Sequence, residues 1–427
     1  MPARATRSSS RSFLRHDRGV IRLRSAALAV VAAALVLAIA PSATSQPRLS
    51  NDDAAIRSAL QIDFPRLGGV ASVRVIDADG IHVFGVSMDK PMVPASTMKV
   101  ITATNALTTL GADHRFVTKV VEGRQRNEIV LVGGGDPLLD RTTLRRLATR
   151  TKQQLAATGR SGRTMTVRLD DMLYPTPSDA PGWLSGDSPT YAAPVRALGL
   201  LYDYSWDTAT NAAAAFVDAL NTAGITANFG GRRAASANAA AVATVSAHTV
   251  GGAIKLMLIY SENNIAEQLF RHVALATGNE PTWQGARQAA RDTLRSLQIP
   301  IRNLQLLDGS GLSMENRLTA RSLTMTLRLG VDGTHPELSQ IVARRWLPTS
   351  GETGTLSGRF WAGGSDCAVG RVFAKTGSLA GVQTLAGLTR GADGSWKIFA
   401  VLTNDSYGDS RPVIDEMAAE INGCLAA

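Results

Sequence analysis

The chain is short of most features that would fix a cofactor, a metal or a membrane. It has 2 cysteines and 6 histidines in 427 residues, and only 5% of its residues are aromatic. Two cysteines, Cys367 and Cys424, cannot frame a disulfide-stapled scaffold. In an exported protein they form either one bridge or two buried thiols, and spacing alone leaves both open. The histidines (16, 82, 114, 248, 272 and 335) never recur at i, i+4 and never group with cysteine, which argues against a metal centre. A G-x-S-x-G elbow is missing, so a Ser-His-Asp hydrolase is not indicated. Gly133-Gly134-Gly135-Asp136-Pro137 lacks the GKS/T ending of a P-loop and the spacing of a dinucleotide fingerprint, and it reads as a tight turn after a strand. No apolar run reaches the ~20 residues that span a bilayer.

Present in their place is an ordinary globular composition, 44% apolar and 19% charged, which excludes a disordered chain and a multi-span membrane protein. The net charge of +10 points toward nucleic acid only until it is located. Seven arginines and one acid precede residue 46, leaving 38 bases against 34 acids in the rest. Those arginines lead into the apolar run Ala26 to Ala40 and a small-x-small site ending at Ser45, the grammar of a secretory signal. Residues 1–45 are therefore expected to direct export to the cell envelope, with retention as an uncleaved membrane anchor as the alternative. No nucleic-acid partner is expected.

Beyond the signal, Asp52 to Leu60 has helical spacing. Ala71 to Asp77 and Ile81 to Val86 alternate about Ala78-Asp79-Gly80 as a β-hairpin. Arg371 to Lys375, Val382 to Leu388 and Trp396 to Leu402 read as three further strands, followed by a helix carrying Pro412 in its first turn. Strands at both chain ends with helices between them suggest an α/β (α+β) layer assembled from both halves of the chain. Residues 118–240 differ in texture. Short strands (Glu128 to Val132, Thr164 to Leu169), Pro- and Ser-rich loops and one alanine-rich helix (Ala209 to Leu220) read as an inserted domain. The expected division is thus 1–45, 46–117, 118–240 and 241–427.

The chemistry concentrates in three short motifs. In Ser96-Thr97-Met98-Lys99, a helix would bring the serine hydroxyl and the lysine amine to one face. Serine becomes a nucleophile when a base takes its proton, and a lysine does so when burial or nearby positive charge keeps it neutral. Ser261-Glu262-Asn263 sets a hydroxyl and a carboxamide two residues apart, suited to proton relay and to orienting Lys99 and a substrate amide. Lys375-Thr376-Gly377-Ser378 lies on an expected strand, where Lys375 and Thr376 can hold a carboxylate and Gly377 admits a substrate backbone. Each motif alone is weak, but the ordered set belongs to penicillin-recognising serine acyltransferases.

On these motifs the sequence resembles the class C low-molecular-mass penicillin-binding proteins, which are D-alanyl-D-alanine carboxypeptidases and endopeptidases. Gly133 to Pro137, Ser261 to Glu267, Asp308 to Ser313 with Asn316-Arg317, Leu347-Pro348 with Gly354-Thr355-Leu356, and Gly381 to Gly387 extend the resemblance over most of the chain after residue 50. It implies a transpeptidase-like domain, an antiparallel sheet flanked by helices, split by one insertion smaller than the pair some members carry. Glu262 stands where the family often has Asp.

The resemblance also implies roles. Ser96 attacks the carbonyl between two terminal D-alanines, Lys99 is the base, and the leaving D-alanine is protonated through Ser261. The N–H groups of Ser96 and Ser378 form the oxyanion hole. Lys375, Thr376 and Ser378 hold the free carboxylate, and Asn263 aligns the peptide amide. No cofactor is needed. The partners implied are peptidoglycan stem peptides, with β-lactams as inhibitors. Asp136 and Asp308 are expected to organise loops, Gly309-Ser310-Gly311 to form a turn beside the site, and Glu267 to make a structural contact. A β-lactamase and an inactive wall-binding relative are the competing readings.

Overall fold

The computed structural model describes residues 50–424, so the export signal expected at 1–45 lies outside the described residues. Ser50 opens the first helix through a reciprocal cap. Its hydroxyl accepts the Asp53 N–H at 3.0 Å and the Asp53 carboxylate accepts the Ser50 N–H at 3.2 Å. This helix, α1 (Asn51–Asp63), precedes the hairpin β1 (Val70–Asp77) and β2 (His82–Val86). The last three strands are β8 (Val372–Leu379), β9 (Val382–Arg390) and β10 (Trp396–Asn404). Antiparallel pairing of β1 with β10, from Val70 opposite Asn404 to Asp77 opposite Lys397, joins the two ends of the chain. The resulting sheet has the order β2-β1-β10-β9-β8 and is antiparallel throughout.

Both faces of this sheet are covered, which explains the nearly unbroken apolar run Ile398 to Leu402. Phe399 and Val401 pack with Val73 and Val75 against α1 and α11 (Arg411–Ile421). Ile398, Ala400 and Leu402 enter a larger core on the opposite face. That core is filled by α2 (Met98–Leu110), α6 (Val250–Tyr260), α7 (Asn263–Ala276), α8 (Trp283–Ser296), α9 (Ala320–Arg328) and α10 (Pro336–Ala343). Cys367 and Cys424 are bonded, with their Cα atoms 6.1 Å apart, tying a short 3₁₀ turn (Asp366–Ala368) to the end of α11.

Between α2 and α6 the chain builds a second sheet with its own core. Its strands are β3 (Thr118–Glu122), β4 (Glu128–Val132), β5 (Met165–Asp170), β6 (Ala227–Arg232) and β7 (Ala241–Val245), in the order β6-β5-β4-β3-β7. The neighbours β4, β5 and β6 are parallel, and their crossovers are α3 (Arg141–Ala157) and a longer connection holding α4 (Asp187–Thr190) and α5 (Thr208–Thr222). Leu144, Leu147 and Leu155 of α3 meet Phe216 and Leu220 of α5 in this core.

Five of these elements, α3, α4, β3, β6 and β7, are absent from the sequence reading. The buried positions of α3 follow helical spacing but are mixed with Thr143 and Thr151 among four arginines and a lysine, which dilutes its apolar stripe. The Gly133-Gly134-Gly135 turn is a place where two backbones nearly touch. A Cβ on Gly134 would lie 1.8 Å from the Val117 carbonyl oxygen.

Candidate active site

Ser96 lies in a 3₁₀ turn (Ala95–Thr97), and the helix proper starts at Met98, two residues later than the motif suggested. The difference tightens the geometry, because side chains at i and i+3 eclipse in a 3₁₀ turn. Lys99 Nζ is 2.9 Å from Ser96 Oγ. The turn enters through Ala95 at φ 47, and Gly311 packs so closely on it that a Cβ there would lie 1.9 Å from the Ala95 carbonyl oxygen. Gly311 itself has φ +84, so both space and backbone demand glycine.

Lys99 is completely buried and has two further contacts, Asn263 Oδ1 at 2.7 Å and the Ser310 carbonyl at 2.8 Å. Asn263 is oriented from its other side, where Nδ2 donates to the Tyr191 carbonyl at 2.8 Å. Both of these partners of Lys99 are therefore pure acceptors. A neutral amine places its two hydrogens on them and aims its lone pair at the Ser96 hydroxyl. Burial brings the neutral form within reach by drawing Lys99 down to about 8, against the opposing charges of Glu267, Asp308 and Glu262.

Ser261 caps α6 in a left-handed conformation, φ 62 and ψ 33, which turns its side chain toward β8. Lys375 Nζ donates to Ser261 Oγ at 3.0 Å and to the Thr376 carbonyl at 2.8 Å. Burial, and then the nearby Lys99, hold Lys375 well below the usual lysine range. The Thr376 hydroxyl donates to Thr355 Oγ1 at 2.7 Å. A Cβ on Gly377 would meet Thr384 Oγ1 at 2.2 Å and the Pro94 carbonyl oxygen at 2.8 Å, so β8 approaches the Ser96 turn as only glycine permits.

β8 is the edge of its sheet, so alternate backbone groups have no partner strand. A two-residue turn, Ala380-Gly381, closes the β8–β9 hairpin with Leu379 opposite Val382. In that register the even-numbered residues of β8 direct N–H and C=O away from β9. The Val372 carbonyl and the Ala374 N–H do so, bonding Ser350 and Pro348. By the same alternation the Ser378 N–H faces the cleft beside Ser96. That cleft has a volume of about 390 Å³, and Ser96, Asn263 and Ser378 line it with Leu184, Tyr191 and Met314.

Asp308 and Glu267 act on the loop that presents Ser310. Asp308 is fully buried and accepts from the N–H groups of Gly311 and Ser313 and from the side chains of Asn316 and Trp183. Glu267 accepts the N–H groups of Gly309 and Ser310, both at 2.8 Å, so its partners lie on this loop and not on its own helix. Burial and the charge of Asp308 push Glu267 up to about 7. Asp136 holds the Leu138 N–H and His248 Nδ1 away from the site.

The six motif residues thus form two hydrogen-bonded groups, Ser96 and Asn263 on Lys99 and Ser261 and Thr376 on Lys375, and Lys99 is close enough to lower the pKa of Lys375. Sequence reasoning missed the Ser310 and Tyr191 carbonyls, the Thr355 hydroxyl and the Trp183 tether. The motif Gly354-Thr355-Leu356 was a signal for Thr355, whereas a carbonyl carries none.

A family model described as D-Ala-D-Ala carboxypeptidase 3 (S13) matches residues 53–205 and 201–422. A carboxypeptidase of Mycobacterium tuberculosis is 32% identical over 378 residues, covering 84% of this chain and 81% of the relative. Carboxypeptidase DacB of Mycolicibacterium smegmatis is 31% identical over 408 residues, covering 90% of this chain and 87% of its own. Among solved structures, penicillin-binding protein 4 from Haemophilus influenzae superposes with a TM-score of 0.71 at 22% identity, covering 85% of this chain and 98% of that one. That last likeness concerns the fold.

Proposed function

We propose, for a chain that belongs to the D-Ala-D-Ala carboxypeptidase 3 (S13) family and is a serine-type D-alanyl-D-alanine carboxypeptidase, a division of labour among its site residues. Ser96 is the nucleophile and Lys99 its base. The Ser96 proton passes to Lys99 as Oγ bonds to the carbonyl carbon of the scissile peptide, and the N–H groups of Ser96 and Ser378 receive the oxyanion. Losing one such donor typically costs about 10²–10³ in rate. The C–N bond then breaks, and the departing D-alanine receives through Ser261 the proton that Lys99 accepted from Ser96, which returns Lys99 to its neutral form. Water attacks the acyl-serine, releases the shortened peptide as a carboxylate and restores Ser96.

Lys375, Thr376 and Ser378 hold the substrate's terminal carboxylate, and Asn263 aligns the peptide amide. The observation that carries this reading is the arrangement around Lys99, two obligate acceptors and one hydroxyl about a buried amine. The substrate proposed is a peptidoglycan stem peptide, met after export directed by residues 1–45, and β-lactams acylate Ser96 by the same route. The same reading takes 46–117 and 241–427 as one peptidase domain with 118–240 inserted. The separate five-stranded sheet supports it, and β7 extends that sheet to Val245.

The test is covalent labelling with a fluorescent penicillin. The 46–427 protein is expected to take one label and Ser96→Ala none. Equal labelling of the two overturns the assignment of Ser96. D-Alanine release from a free pentapeptide, outpacing hydrolysis of the penicillin adduct, separates a peptidase from a β-lactamase.

A further inference from the structure

We infer that the groove around Trp361 binds the sugar chain that carries the stem peptide, a neutral strand of N-acetylated hexosamines. The inference rests on reading the substrate as a glycan-borne peptide. Trp361 is 62% exposed, yet its ring is fixed, because Nε1 donates to the Ser357 carbonyl at 3.2 Å. An aromatic face held in solvent by its own hydrogen bond loses little entropy when something stacks on it. It borders a groove of about 320 Å³, at the small end of ligand clefts, which run to ~300–1,000 Å³. Asp409, which lines the same groove, follows the fully exposed Tyr407 by two residues in the chain.

The charges in the groove choose the ligand class. Arg359 pairs with Asp415, and Arg411 holds Asp409 through two bonds of 2.7 Å. Two guanidinium groups and two carboxylates cancel, so the lining attracts neither an anionic polymer nor a cation. It offers planar donors and acceptors next to the exposed ring of Trp361. A pyranose ring matches that combination, with a face of C–H bonds for the aromatic ring and an edge of hydroxyl and acetamido groups for the paired charges.

Position ties the groove to catalysis. The Ser410 N–H donates to Gln383 Oε1, and Gln383 stands opposite Ser378 in the β8–β9 hairpin. Thr355, whose hydroxyl accepts from Thr376 of the site, shortly precedes Trp361 in the chain, so the segment that lines the groove starts at the cleft.

The experiment has two arms on the 46–427 protein. Titration with N-acetylglucosamine tetramer, followed by tryptophan fluorescence, is expected to show saturable binding that Trp361→Ala weakens by about tenfold or more, the scale of one lost aromatic contact. Trp206→Ala, whose indole is equally exposed, is expected to keep it. In the second arm, Trp361→Ala and Asp409→Ala release D-alanine from a free pentapeptide at the wild-type rate and from glycan-linked stem peptides about tenfold more slowly at limiting substrate. Absence of tetramer binding, binding indifferent to Trp361, or equal rates relative to wild type on both substrates overturns the proposal. Failure of the wild type on the free pentapeptide would instead strike the assigned activity, and the tetramer arm would still decide the groove.

Discussion

Three lysines are almost wholly buried among the described residues, and two regions of the molecule treat them in opposite ways. Lys99 and Lys375 sit in the cleft with no carboxylate in hydrogen-bonding contact, only hydroxyl, amide and carbonyl oxygens. Lys397, where β10 packs on α1, touches Asp53 and Asp393 and lies 3.6 Å from Asp52. Desolvation is the largest influence on all three, yet Lys99 and Lys375 are drawn below the ordinary lysine range while Lys397 is raised above it. Burial makes a lysine's charge expensive, and the chemistry of its partners decides whether the charge survives. One region has kept the carboxylates of Glu267 and Asp308 occupied with backbone N–H groups, leaving its lysines without counter-ions.

The sharpest way to break that contrast is to give Lys99 a carboxylate of its own. Asn263→Asp is nearly isosteric and keeps an acceptor at 2.7 Å, but it recreates the Lys397 environment at the catalytic amine. Acylation by penicillin at pH 7 is expected to fall by about 10²–10⁴, the worth of a general base, and to recover partly as pH is raised. A loss independent of pH would mean that the amide acts through geometry alone.

The reciprocal change, Lys397→Met, strands buried Asp53 beside Asp52 and Asp393. A broken buried pair typically costs about 3–5 kcal/mol, and urea unfolding should show a loss of that size. The fraction that remains folded should label with penicillin at the wild-type rate. Lys397's folded pKa lies above its unfolded value of 10.5, so its contribution is fully present below pH 10.5 and is lost as pH rises through the folded value.

Lys99 has the opposite sign. Its folded value of about 8 lies below 10.5, so the unfolded chain binds the extra proton between those limits, and its penalty on stability is relieved as pH rises from 8 to 10.5. Activity follows the neutral amine. The second-order rate of acylation should climb about tenfold per pH unit below 8 and level off above it. A profile already flat at pH 6 would contradict Lys99 as the titrating base.

How much of this was legible in advance follows from the same physics. The sheet strands at both chain ends declare themselves because Val73, Val75, Phe399 and Val401 alternate with residues of the opposite face. Ser96, Lys99, Ser261, Asn263, Lys375 and Thr376 were readable because side chains carry names. The groups that set Lys99's protonation were not. The Ser310 carbonyl reaches Nζ only because Glu267 and Asp308 fold the 308–313 loop around themselves, and the Tyr191 carbonyl arrives from the insertion's long connection. The opposite treatment of Lys397 was equally hidden, since Asp53 is 344 residues away in sequence.

The smallest expected effect tests that loop directly. Glu267 is the largest opposing charge that keeps Lys99 from falling further, and both its oxygens are committed to backbone N–H groups. In Glu267→Gln the charge is gone, and one of the two N–H groups faces an amide NH₂ in place of an acceptor, at a cost of about 1–3 kcal/mol to the loop. The two consequences separate in a pH profile of acylation. Loss of charge lowers Lys99's pKa, so the midpoint should move to lower pH, while loss of loop order lowers the plateau. At pH 7.5, where Glu267 is ionised in the wild type and Lys99 is still titrating, the variant therefore loses less activity relative to wild type than it does at pH 9, because more of its Lys99 is already neutral. A lowered plateau with an unmoved midpoint would make Glu267 a strut alone, and the charges opposing burial at Lys99 would then be those of Asp308 and Glu262.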